Sequence, residues 1–75
     1  MNKIIKLPDI EAVQEFVNVA EATGESILVS KDGFKYQVDG ASIMGMFSVM
    51  GERLKVEYMS DSNRLTEMLE KYCVS

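Results

Sequence analysis

Residues 42–51 read SIMGMFSVMG, a short segment more apolar than one buried helix face requires. Ser42 is a strong N-cap residue, because its hydroxyl can accept a bond from an unsatisfied N–H of the first helical turn. Gly51 closes the segment, so a helix is expected from Ile43 to about Met50. At about 100° per residue the large side chains fall into two stripes. Ile43, Met44 and Phe47 span one side, and Met46, Val49 and Met50 span another. A short helix lying on a sheet buries one stripe. The other stripe is either covered by neighbouring loops or left as a contact patch, and the residues alone keep both outcomes open. Methionine is flexible and polarisable and suits either role.

Working outward, residues 34–38 alternate, with Phe34, Tyr36 and Val38 on one face and Lys35 and Gln37 on the other, which predicts a strand ended by Asp39-Gly40. Before it, Lys31-Asp32-Gly33 is a hairpin signal, since Asp-Gly tolerates the positive φ of a tight turn. Residues 26–30 hold Ile27, Leu28 and Val29 in succession and predict a central strand. On the other side, Leu54, Val56 and Tyr58 alternate with Lys55 and Glu57, giving a fourth strand. Ser60-Asp61-Ser62 offers caps for a last helix whose apolar stripe is Leu65, Met68, Leu69 and Tyr72.

The chain opens with a strand over residues 3–7 containing Ile4 and Ile5. Pro8 and Asp9 stop it and start a helix. Asp9 is a sound N-cap, and Glu11 adds negative charge to the first turn. Ile10, Val13, Val17 and Ala20 keep a helical spacing with Phe16 beside them, and Gly24 ends the run. The order is βαββαβα. With 75 residues this implies one domain, residues 1–75, folded as an open-faced α/β sandwich with the helices on one face of a four-stranded sheet. A ferredoxin-like fold with one extra helix has nearly the same order.

Net charge is −4, from twelve acidic and eight basic residues. The basic residues are scattered and form no stripe, which argues against nucleic-acid binding. The acidic ones gather early, at Asp9, Glu11, Glu15, Glu21 and Glu25. Such a run reads as a solvated helix face or as an acidic face that meets a basic partner. There is no histidine, which removes histidine acid–base catalysis, phosphohistidine and most zinc sites. With no metal-ligand cluster and no phosphate-binding glycine loop either, neither an enzyme nor a metal or cofactor site is expected. The lone Cys73 makes no intramolecular disulfide, fits a reducing compartment, and reads as a small core or edge residue. No apolar run approaches membrane-spanning length, and the first residues lack a signal-peptide pattern, so a cytoplasmic location is expected.

The run VDGASIMGMFSV, residues 38–49, resembles the second-helix region of the HPr family, the small phosphocarriers of the phosphoenolpyruvate-dependent sugar phosphotransferase system. The element order is similar over nearly the whole chain. The resemblance implies the HPr-like sandwich rather than the ferredoxin-like alternative. It implies that Ile43, Met44 and Phe47 face outward and contact protein partners, while Met46 and Val49 pack on the sheet. It also implies a regulatory phosphorylation site at Ser42, matching the serine that many Gram-positive members modify. A phosphate there would add about two negative charges beside Met44.

The chain departs from the family pattern at the start of its first helix. Aligned on EFVNVAEATGE, Asp9 stands where family members carry the phosphorylated histidine, Glu11 where they carry an arginine, and Ala12 where they carry a proline. Two carboxylates there would repel an incoming phosphoryl group. An acyl phosphate on Asp9 would lack the cationic clamp that phosphoryl transfer depends on. The stretch from residue 33 to 42 is also about two residues longer than the family pattern, which predicts an extended third strand. The expected function is therefore a regulatory or adaptor module linked to the phosphotransferase system. It would bind a protein through Ile43, Met44 and Phe47 as a monomer or weak homo-oligomer. The alternatives are a working phosphocarrier in sugar uptake and a self-associating structural unit.

Overall fold

The structure is a computed structural model that describes residues 2–59 and 62–74. Four strands, β1 (Asn2–Lys6), β2 (Leu28–Lys31), β3 (Gln37–Asp39) and β4 (Arg53–Glu57), alternate with three helices, α1 (Ile10–Thr23), α2 (Ile43–Phe47) and α3 (Asn63–Lys71). The strands form one antiparallel sheet in the order β1-β4-β2-β3. A ferredoxin-like arrangement would put β1 inside the sheet; here it lies at an edge, with β4 between β1 and β2.

Strand alternation sets the two faces. Ile5, Val29, Val38, Leu54 and Val56 point to the core, where they meet Phe16 of α1, Met46 of α2 and Leu65 and Leu69 of α3 in one cluster. The register puts Ile5 opposite Leu54 and Val29 opposite Val56, so the buried positions stack across strands. Lys6, Gln37, Asp39 and Arg53 take the other face and are exposed. All three helices thus cover one side of the sheet. Among the described residues no helix is long and apolar enough to cross a membrane.

Local capping follows the sequence. The Asp9 carboxylate accepts from the Ala12 N–H at 2.8 Å, which satisfies one orphan donor of α1. Gly24 caps its far end in the left-handed conformation. Ser62 caps α3; Ser60 and Asp61, the other caps expected there, lie outside the described residues. Cys73 is a half-buried edge residue, bridged to Ile5, and the Val74 N–H donates to the Ile4 carbonyl, so Cys73 and Val74 line the outer edge of β1.

Three expectations need correction. The third strand is not extended over residues 34–38 but holds only Gln37–Asp39. The Asp32 N–H donates to the Arg53 carbonyl at 2.8 Å, so the chain at the would-be hairpin is held to β4. Gly33, at φ 88°, and a bond from the Phe34 N–H to the Lys31 carbonyl then close a turn, and pairing with β2 resumes only at Gln37 opposite Ser30. The surplus length therefore sits in the loop. Phe34 and Tyr36 are 65% and 72% exposed instead of sharing the core face with Val38. The second strand starts two residues later than expected and runs one further, because Lys31 pairs with Leu54 of β4.

The second helix, expected to reach about Met50, ends at Phe47. Past it the N–H groups of Ser48, Val49 and Met50 bond three residues back, to Gly45, Met46 and Phe47, which winds the chain into successive tight turns. The Ser48 hydroxyl also donates to the Gly45 carbonyl at 2.6 Å, competing with the helical backbone.

Gly40, just after β3, packs tightly between α1 and Ile27. A Cβ there would lie 3.0 Å from Phe16 Cε1 and 3.1 Å from Ile27 Cγ2. Gly40→Ala should lower stability by about 1–3 kcal/mol through overpacking, whereas Phe34→Ser should change it by less than about 0.5 kcal/mol, as is usual for an exposed loop position. Denaturant unfolding of the two variants checks both. A large loss for Phe34→Ser would return that ring to the core.

Candidate functional site

The second helix is seated by Met46, which is fully buried, and by Val49 in the turn that follows. With Met46 as the inward direction, 3.6 residues per turn place Ile43 about 60° away, Phe47 about 100° away and Met44 about 160° away. Their exposures rise in the same order, at 37%, 40% and 81%. Gly45 falls on the opposite flank from Phe47, and a Cβ there would approach Val38 of β3 at 3.4 Å.

The three side chains of the outer stripe therefore reach solvent together. Met50, grouped by periodicity with Met46 and Val49, is exposed as well, because the helix has ended before it. Ile10, in the first turn of α1, is another exposed apolar residue. The Gly51 N–H donates to the Leu7 carbonyl at 2.9 Å, which ties the exit of α2 to the chain two residues before Asp9. The entrance of α1 and the exit of α2 thus meet at one end of the helix layer.

Ser42 is exposed at the N-cap of α2, its Oγ accepting from the Gly45 N–H at 3.3 Å. Asp9 is exposed at the N-cap of α1. Its bonded oxygen is occupied by the cap, and no basic residue occurs between Lys6 and Lys31 in the chain to neutralise it. Among the described residues no three His, Cys, Asp or Glu side chains gather as a metal site would need.

The loop of residues 32–36 adds apolar surface that periodicity assigned to the core. Phe34 and Tyr36, with Lys31, Ser48 and Val49, line a cleft of about 260 Å³ beside the turns after α2. The Lys31 ammonium sits 5.5 Å from the Phe34 ring centroid, within cation–π range. The sequence signals for this loop were the Asp32-Gly33 turn and the two-residue surplus between Gly33 and Ser42.

On the other side of α1, Glu15 accepts from the Tyr72 hydroxyl at 2.6 Å and from the Lys71 ammonium at 3.1 Å. Tyr72, read from periodicity as part of an apolar stripe, is half-buried and uses its hydroxyl to tie α3 to α1. The Tyr72 hydrogen bond, then that from Lys71, holds the Glu15 carboxyl below its ordinary value of 4.5. The bond to Glu15 in turn raises the Tyr72 hydroxyl above 10.0. This triad is structural and lies away from α2.

No protein-family model matches the chain, and no curated protein sequence matches it. Among solved structures, the crystal structure of a phosphocarrier protein HPr from Bacillus anthracis str. Ames is similar, with a TM-score of 0.64 over 96% of this chain and 95% of that one, at 21% sequence identity. The chain has the HPr-like open-faced sandwich fold.

The triad sets a pH dependence. A depressed carboxyl stabilises the fold above its unfolded pKa and loses that contribution as pH falls through the folded value. A raised tyrosine hydroxyl contributes fully below 10.0 and loses its share as pH rises through the folded value. Tyr72→Phe should therefore lower stability by about 1 kcal/mol at neutral pH, the value of a charge-assisted hydrogen bond discounted for exposure. Thermal melts across pH should show the gap between wild type and variant closing at both acid and alkaline extremes. A gap independent of pH would assign the loss to packing.

Proposed function

We propose that this chain is an HPr-like protein-binding module that acts in the cytoplasm as a regulator or adaptor linked to the sugar phosphotransferase system, and that it does not carry phosphate on a histidine. The observation that carries this reading is the exposure of Ile43, Met44 and Phe47 on a helix whose Met46 is fully buried. Three large apolar side chains in water on one short helix form a patch, and such patches mark contact surfaces. The HPr-like fold supports the family context. The absence of histidine from the sequence removes the usual phosphoryl acceptor.

Ser42 is the proposed control point. The helix it caps is only five residues long, so its macrodipole is small. A phosphate on Ser42 would act mainly by placing charge at the edge of the Met44 surface. Its hydroxyl is exposed, as a kinase would require.

Pull-down of partners by the wild-type chain, set against Met44→Asp and Phe47→Asp variants, tests the patch. Both substitutions fall on exposed positions, so the fold should persist while partner recovery drops by about ten-fold or more, as for anchors of an interface. Unchanged recovery would remove the patch from the binding surface.

A second reading has one observation behind it, the phosphocarrier identity of the similar structure. Under it, Asp9 would take phosphate as an acyl phosphate. Incubation with radiolabelled phosphoenolpyruvate and the general phosphotransferase enzyme should give no label. Label that disappears in Asp9→Asn would establish the carrier instead.

A further inference from the structure

The nature of the partner can be taken further, on the reading that α2 is a docking surface. Residues 8–30 and 36–52, which include α1, α2 and β3, hold seven acidic side chains and no basic one. Among the described residues, four of the chain's twelve acids are neutralised. Ion pairs join Lys3 to Glu70, Arg53 to Asp32, Lys55 to Glu57 and Lys71 to Glu15. Asp9, Glu11, Asp39 and Glu52 have no ion-pair partner among the described residues, and all four are exposed.

Asp9, Glu11 and Glu52 lie toward the end of α2 that is tied to Leu7, while Asp39 is on the open face of the sheet and Lys31 lines the cleft beside Ser48 and Val49. Asp39 accepts from the Ala41 N–H at 2.9 Å on the approach to α2. Glu52 follows the Gly51 that is bonded to Leu7, and Asp9 and Glu11 begin α1 just beyond that bond. Like charges left without counter-charges repel one another, and an approaching cationic surface relieves that repulsion as it docks.

We infer that this surface takes a cationic amphipathic segment of another protein. Its apolar side chains would lie on Ile43, Met44 and Phe47, and its lysines or arginines would face Asp9, Glu11 and Glu52. A second copy of this chain in two-fold pairing would bring the same acidic border against itself, which disfavours self-association. Anionic lipid and nucleic acid are repelled by the same carboxylates.

The test is titration of the isotope-labelled full chain, read by backbone amide shifts. The probes are helical peptides of about four turns with leucine on one face and lysine on the other, matched peptides with glutamine or glutamate in place of lysine, and vesicles containing phosphatidylglycerol. The lysine peptide should shift residues 9–11 and 43–50 and bind about ten-fold tighter than the glutamine peptide at low salt, with the gap shrinking at high salt. The glutamate peptide should not bind. The combined variant Asp9→Asn, Glu11→Gln and Glu52→Gln should erase the ten-fold gap and keep its fold, because asparagine preserves the cap at position 9. Equal binding of the lysine and glutamine peptides would overturn the charge inference and leave the docking surface standing. Lysine-peptide shifts centred away from residues 43–50, or vesicles that shift those residues more strongly, would likewise overturn the charge inference. Failure of all three peptides to shift residues 43–50 would remove the docking surface itself, and the inference with it.

Discussion

Seating Met46 in the core governs how the helix layer presents itself. A five-residue helix has few contacts with which to resist rotation about its own axis. A fully buried Met46, with Val49 held below the following turn, sets that rotation. Gly45 then faces Val38, where an added Cβ would come to van der Waals distance, 3.4 Å. Once these contacts are made, Met44 points to solvent and Ile43 and Phe47 are left partly exposed on its flank. The apolar surface is a geometric consequence of how the helix packs, and it costs about as much exposed area as three large side chains present.

The same packing brings together segments that are far apart in the chain. The Gly51 N–H reaches the Leu7 carbonyl, so the turns after α2 and the cap of α1 share one end of the molecule. In this fold that end is anionic at Asp9 and Glu11. Phosphoryl groups are stabilised by cations and oriented donors, so a pair of uncompensated carboxylates suits a different task. Acidic side chains at one end of an apolar stripe resemble part of the usual anatomy of a protein interface, with a desolvated middle and a charged rim that steers approach.

Much of this was legible before any coordinates. Period-3.6 spacing found α1 and α3, Asp9 and Ser42 were readable as caps, and strict alternation found β4. These signals are local, since each depends on residues within a turn or two. The misreadings arose where a distant partner intervened. Phe34 and Tyr36 alternate with Val38 as strand residues do, yet Arg53, about twenty positions later, takes the Asp32 N–H and ends the pairing early. Met50 keeps helical spacing with Met46, but tight turns replace the helix after Phe47 and rotate it outward. Tyr72 scored as apolar, while its hydroxyl found Glu15 across the helix layer.

The amino-acid sequence by itself determined which segments are helix and strand, that no histidine chemistry is open to the chain, and that α2 carries more apolar surface than one face can bury. Those properties follow from composition and short-range periodicity. The tertiary structure decided which stripe of α2 is buried, how far β3 extends, and which acids are left without cations. Each of these depends on β4 inserting between β1 and β2 and on Met46 reaching the core. Such contacts join residues remote in the chain, and no local pattern encodes them.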